Sequence, residues 1–447
     1  MKRWAGAADV ALMMMMISDG KHINNNTFSV KDHHDLKAKM LNWASRFDIF
    51  CLLDNNGYSV RDTAFECLVG VGCTRSFSFS EKNNFAAFRT FFESAPSWLF
   101  GHLGYNAAGN AYAIEKPATV DFGRGFFFEP ETVLRLTSQS LEIVKNTGTG
   151  REVWDSIINT VLPPAYPPAA LQVVHAFTRE AYLQELDILK HHLQRGDCYE
   201  INFCQQYTVH DAFVDPVATY QKLSALSPSP FGAFYKLHDK YCFCASPERF
   251  LKKDGNRLIS QPIKGTRRRD HINIEQDDRN RTDLPLNVKE RAENIMIVDL
   301  VRNDLSMVCE KGSVKVSELA GVYSFPQVHH LISTVEGLLS KDKHFTEALK
   351  ACYPMGSMTG APKKKVMALI EASEISARGL FSGSIGYITP SADFDFNVVI
   401  RSIFFDSTEK KIAFYAGSGI TFKSNAADEY DECTAKAEAL IKILTES

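Results

Sequence analysis

The sequence predicts an α+β protein built on antiparallel sheets, and three features point there. Residues 1–160 carry short apolar runs, such as Phe47 to Leu53 and Trp98 to Tyr105, separated by Asn-Gly and Gly turns. These read as strands with a few helices. Further on, strand-like and helix-like stretches mix without the strand–helix–strand rhythm of a parallel sheet. The chain also lacks repeats and low-complexity tracts. With 447 residues, 45% of them hydrophobic, it can bury a large core in two regions, 1–160 and 175–445. The stretch Leu162 to Pro168 holds four prolines and marks the linker between them.

Beyond the linker, Thr178 can cap a helix that runs to about Gln194 and stops at Gly196. Cys198 to Tyr207 alternates like a half-buried strand, with Tyr199, Ile201 and Phe203 on one face and Glu200 and Asn202 on the other. Two strands, about 241–252 and 257–264, flank Asp254-Gly-Asn256. A long apolar helix covers about 286–301, and a final helix runs from about Ala427 to Leu444.

The charge balance excludes some functions. Fifty basic residues face 53 acidic ones, a net charge of -3. There is no basic stripe with interleaved aromatics, so a nucleic-acid binder is not expected. The ten cysteines form no Cys-x-x-Cys pair and read as reduced thiols in a cytoplasmic protein. The apolar opening is broken by Asp9, and no stretch is long enough to span a bilayer, so no membrane partner is expected. Gly356 to Lys363 fails the spacing of a phosphate loop, although Pro362 suits the first turn of a helix whose N-terminus could bind an anion.

Several polar residues stand where apolar ones are expected. Lys264 ends an apolar strand beside Gly265; it either snorkels to water or lies in a cleft as a nucleophile or base. Glu248 lies sixteen residues upstream. A three-residue loop at 254–256 would put it opposite Pro262, on the face of Lys264, whereas a two-residue Asp-Gly turn would separate the two side chains. Glu290 and Glu293, and likewise Glu429 and Glu432, are three apart and share helix faces. Four facing carboxylates call for a cation, and magnesium suits oxygen ligands. The alternative for the second pair is a solvated helix face. His329 and His330 lack zinc spacing. Arg401 interrupts the apolar run Val399 to Phe405 and wants a carboxylate, either the protein's own or a ligand's.

Six blocks occur in a characteristic order: Gly196-Asp-Cys-Tyr199, Ser246-Pro-Glu-Arg-Phe250, Pro262-Ile-Lys-Gly-Thr266, Arg291-Ala-Glu-Asn294 through Asp304, Gly360-Ala-Pro-Lys363 and Ala416-Gly-Ser-Gly419. In this order they resemble the chorismate-utilising enzymes, densely over 175–445. Residues 1–160 resemble more loosely the N-terminal region of anthranilate synthase component I. The resemblance implies two facing antiparallel sheets flanked by outer helices, with the site between the sheets.

The residue between Pro-Ile and Gly-Thr is typically alanine in the anthranilate-forming members and lysine in those that aminate C4. Lys264 therefore implies a reaction in two displacements. Glu248 protonates the departing C4 hydroxyl while the Lys264 amine attacks C2 of chorismate; ammonia then attacks C4 and expels the lysine, giving 4-amino-4-deoxychorismate for 4-aminobenzoate and folate synthesis. This needs a neutral Lys264, whose pKa burial and nearby cations are expected to depress. The resemblance further implies that Glu290, Glu293, Glu429 and Glu432 hold magnesium, Glu293 and Glu432 directly. It implies that Tyr387, Arg401 and the backbone of Gly417, Ser418 and Gly419 bind a substrate carboxylate. His330 would lie beside the ring, Lys363 near the anion on the metal side, and Thr359 among the substrate-binding residues.

Glu200 stands where the aminating members usually have glutamine and the water-using members lysine. No Gly-x-Cys-x-Gly nucleophile turn is present, so ammonia is expected from a separate glutamine amidotransferase subunit. Two alternatives remain, anthranilate formation and a non-catalytic chorismate-binding subunit.

Overall fold

The computed structural model describes residues 22–24, 26–58, 65–80, 84–107, 116–163 and 171–445. The opening apolar segment and most of the proline-rich linker lie outside the described residues. Among those described, the strands form two antiparallel sheets of 13 and 10 strands. Both regions of the chain build both sheets. In the larger, Ile49–Asp54 pairs with Phe231–Leu237; in the smaller, Leu99–Leu103 pairs with Ser384–Ile388. Residues 1–160 and 175–445 are thus halves of one architecture.

Packing explains the strand sequences. Along Ile49–Asp54, Cys51 and Leu53 join the core between the sheets, with Phe100, Tyr235, Phe250, Phe396 and Phe404. Phe50 and Leu52 face the opposite way, onto the outer helices that supply Met40, Tyr182, Leu186 and Leu440. The central strands of the larger sheet are therefore buried on both faces and read as near-continuous apolar runs. The strand Glu200–Val209 shows the same: nine of its ten residues are buried, where alternation alone predicted a half-buried strand. Two outer helices match their sequence signals. One spans Arg179–Gln194 with the Thr178 hydroxyl accepting from Ala181 N–H, a cap contributing about 1 kcal/mol. The other spans Ala426–Thr445.

The site is positioned where strands leave one sheet for the other. The stretches expected as single strands at 241–252 and 257–264 are each broken in two. Lys240–Ser246 lies in the larger sheet and Arg249–Asp254 in the smaller, with Glu248 in the connection. Pro262 separates Arg257–Gln261 from Ile263–Arg268. Arg401, expected inside a strand, lies in the return crossing from Phe394–Asn397 to Ser402–Asp406. The two crossings are stitched together: Val398 N–H donates to Glu248 O (3.0 Å), and Ala245 N–H to Arg401 O (3.2 Å).

Register decides which side chains meet. Asp254 pairs with Arg257 around a two-residue Gly255-Asn256 turn, not the three-residue loop. A register shift between Arg249 and Lys252 then restores the offset, because Arg249 pairs with Gln261. Extended by one residue, that pairing sets Glu248 opposite Pro262, as the three-residue loop had implied. A second irregularity, between Ile263 and Thr266 in the pairing with Val328–Leu338, falls on Lys264 and Gly265. Gly265 has φ +95°, and a Cβ there would lie 2.9 Å from Leu331 Cδ1. The bulge needs glycine and re-aims the lysine beside it.

Candidate active site

Lys264 extends from the edge strand of the smaller sheet to the larger sheet. Its Nζ lies 2.5 Å from Glu200 Oε1, with the lysine side chain 11% exposed and the glutamate 1%. Among the described residues neither Glu200 oxygen has any other donor. The space for the amine comes from Gly419, which pairs with Asn202 on the neighbouring strand. A Cβ at Gly419 would stand 2.7 Å from Lys264 Nζ and 2.9 Å from Glu200 Oε1, so any side chain there would displace the ion pair.

The protonation state of Lys264 differs from the expectation. Burial alone would lower its pKa, but Glu200, Glu293 and Glu248 outweigh burial and raise it. The depressed pKa expected for a free amine is not found; Lys264 rests as an ammonium ion because these carboxylates stabilise its charge more than burial penalises it. Glu248 is 4% exposed. Burial pushes its carboxyl up to about 7, against the lowering effects of the Ser357 hydroxyl, Lys264, the Ile263 N–H and Arg401. At neutral pH it is therefore poised to give or take a proton.

Arg401 and His330 bound the site on the crossover side. Arg401 Nη2 donates to His330 Nε2 (3.0 Å), and Thr266 Oγ1 lies 2.9 Å from His330 Nδ1. A guanidinium only donates, so Nε2 must accept and the imidazole carries its proton on Nδ1. Burial and then Arg401 push the His330 pKa well down, which keeps the ring neutral. Burial likewise brings Arg401 down to about 10 despite Glu248 and Tyr58. Arg401 holds its position at φ +51°, a costly backbone conformation for a side-chain-bearing residue. Its hydrogen bond goes to a histidine, which leaves the guanidinium able to meet an anionic ligand.

The four glutamates come from Val288–Ser306 and Ala426–Thr445. Glu293 and Glu429 are buried, at 8% and 2% exposed. Lys289 Nζ lies 3.1 Å from Glu429 Oε1 and 3.9 Å from Glu293 Oε1; Lys436 Nζ lies 2.7 Å from Glu432 Oε1. Burial brings Glu293 up to about 7, Lys264 opposing and Glu200 adding to the rise. Burial and then Glu432 raise Glu290. Partial burial works against it, but Lys436 holds the half-exposed Glu432 below the usual carboxylate range. Among the described residues no three ligating side chains are gathered at metal-binding distance. The donor set still fits magnesium in kind: two helices bring hard oxygen ligands close enough to repel each other, and Glu293 Oε1 is buried without a hydrogen-bond partner.

The remaining candidates divide. Lys363 pairs with Asp304 Oδ2 at 2.8 Å. Asp304 and Glu248 both line a cavity of about 20 Å³ with Ser357 and Ser260, room for one water. Thr359 is fully buried and donates its hydroxyl to Met355 O (3.1 Å) within its own turn. Ser418 pairs with Phe203, on the opposite face from Gly419, so only its backbone lies toward the lysine. Gly417 O accepts from Lys436 Nζ (3.0 Å).

Tyr387 is not brought to the site. Its row runs through Asp395 and Lys252 to Ile259, three strand spacings or about 14 Å away, and Lys264 lies five residues further along, about 17 Å. It lies among the rings of Phe65, Trp98 and Phe100 and lines a second cavity with Asp54, Asn55, Phe231 and Asp395. Sequence reasoning marked Glu200 only as a departure from the usual glutamine; the structure makes it the partner of Lys264. It also left out Asn294, whose Oδ1 accepts from Ser333 Oγ (2.6 Å) while its amide faces Lys264 O at 3.5 Å. A buried amide one residue from Glu293 was the available signal.

Comparison with known proteins shows the family. The chain is 33% identical to an anthranilate synthase component I-like protein of Synechocystis over 78% of this chain and 72% of that protein. It is 38% identical to aminodeoxychorismate synthase component 1 of Salmonella typhimurium over 59% of this chain and 57% of that protein. The matches span less than two thirds of the length of the aminodeoxychorismate synthases they reach. The menaquinone-specific isochorismate synthase of Escherichia coli shares the fold, with a TM-score of 0.74 at 17% identity, covering 98% of this chain and 99% of that one. No helix among the described residues is long and apolar enough to cross a membrane. The chorismate binding enzyme family matches residues 56–442, and the chain belongs to it.

Proposed function

We propose that the chain is the chorismate-aminating component of an aminodeoxychorismate synthase, converting chorismate and ammonia to 4-amino-4-deoxychorismate. The observation that carries this reading is the placement of Lys264: an amine enclosed between the sheets, facing a buried Glu248 whose carboxyl titrates near 7. Relatives named aminodeoxychorismate synthase component 1, from Salmonella typhimurium, Bacillus subtilis and Escherichia coli, support it at 36–38% identity.

Once Lys264 has given up its proton to solvent, its amine attacks C2 of chorismate. Glu248 gives its proton to the departing C4 hydroxyl, which leaves as water. Ammonia then attacks C4 and expels the lysine amine, and Glu248 regains a proton from solvent. Arg401, held by His330, binds a substrate carboxylate together with backbone N–H groups around Gly419. Magnesium, when bound, is held by Glu290, Glu293, Glu429 and Glu432 and supplies positive charge against the other carboxylate. The amidotransferase partner is a separate component, in line with the relatives' designation as component 1. The chain acts in 4-aminobenzoate and folate synthesis, in the cytoplasm.

Incubation with chorismate, ammonium and magnesium tests the reading. The expected product becomes 4-aminobenzoate when the lyase for aminodeoxychorismate is added. Fluorescent anthranilate without lyase would instead assign the chain to the C2-aminating branch.

A further inference from the structure

We propose that Glu200 is a positioning residue for Lys264: its carboxylate pins the amine over Gly419 and holds it as an ammonium ion until substrate arrives. The catalytic meaning of this rests on the reading of Lys264 as the nucleophile. Three geometric facts support it. The pair is 2.5 Å apart with both side chains enclosed. Neither Glu200 oxygen has any other donor among the described residues, so the lysine is the partner that offsets the cost of burying this carboxylate. The pocket for the amine exists only because Gly419 lacks a Cβ.

Other carboxylates face the same amine: Glu248 from the sheet crossing, Glu293 and Glu290 from Val288–Ser306, and Glu432 from Ala426–Thr445. Of these Glu200 exerts the largest raising influence. A glutamine of the same shape would keep the packing and drop the charge. The glutamate therefore fixes the amine in place and keeps its lone pair occupied, and the proton must leave before C2 can be attacked.

Carbamoylation by cyanate tests this on the whole protein without relying on turnover. The amine nitrogen adds to the carbon of isocyanic acid to give a ureido group; an ammonium ion has no lone pair and does not react. The rate at Lys264 is followed by peptide mass spectrometry at neutral pH, in the unaltered protein and in Glu200→Gln. Lys236, buried with its Nζ donating to Phe47 O at 2.9 Å, serves as the folding control. The expected result is modification of Lys264 faster by about tenfold or more in Glu200→Gln, one pKa unit or more, with Lys236 unchanged. Glu200→Asp, which retains the charge, should keep Lys264 slow. An unchanged Lys264 rate in Glu200→Gln would overturn the proposal, as would equal acceleration in Glu200→Asp. If Lys264→Ala kept its amination rate, the nucleophile reading would fall, while the labelling result would still decide the role of Glu200.

Discussion

Lys264→Ala should lose C4 amination by on the order of 10³-fold or more, because the residual site can bind chorismate but forms no bond to C2. The loss should fall on kcat, since Arg401, His330 and the Gly419 backbone remain. The substitution also strands Glu200, 1% exposed, beside Glu293 and Glu248. Removing one partner of a buried pair costs about 3–5 kcal/mol, so a lower melting temperature is expected too. Lys264→Arg separates the two effects. It keeps a cation beside Glu200 and should recover most of the stability, yet stay inactive because a guanidinium holds its proton. Steady-state kinetics and thermal melts of both variants check this. Amination near the wild-type rate in either one would remove the nucleophile.

Glu248→Gln should lower kcat by about 10²–10⁴-fold with little change in KM, the usual contribution of a positioned general acid. The amide can still accept from Ser357 and the Ile263 N–H, which hold the carboxylate now, so the fold should survive. The pH dependence has a definite sign. Burial raises Glu248 from 4.5 to about 7. The acid form needed to protonate the leaving hydroxyl is thus populated below pH 7 and lost above it. Stability follows the same group: between 4.5 and about 7 the folded protein binds more protons than the unfolded chain at Glu248 and at Glu293, so stability falls as pH rises through that window. Glu248→Gln should flatten part of that slope. A rate unchanged by the substitution would assign the proton to another group.

Much of the site was legible because its residues violate the local pattern. A lysine at the end of an apolar strand, a glutamate after Ser-Pro and an arginine in an apolar run are each costly unless the fold employs them. Their meeting was not legible. It depends on a two-residue turn at Gly255-Asn256 compensated by a register shift between Arg249 and Lys252, and periodicity carries no trace of either. The crossings at Glu248 and Arg401 were hidden too, because strands buried on both faces look like one apolar run whichever sheet they join. Tyr387 shows the converse: the family resemblance pointed to it as a binding residue, and here it packs against Trp98 and Phe100. The charge on Lys264 was beyond reach of local reasoning, because Glu200, Glu248 and Glu293 come from three separate elements.

The most direct measurement is the mass of the Lys264 peptide after the protein is mixed with chorismate and magnesium without ammonia, then quenched and digested. The account predicts a substrate-derived adduct on Lys264, equal to chorismate less one water, that disappears when ammonium is added. Full amination competence with an unmodified Lys264 at every quench time would contradict it.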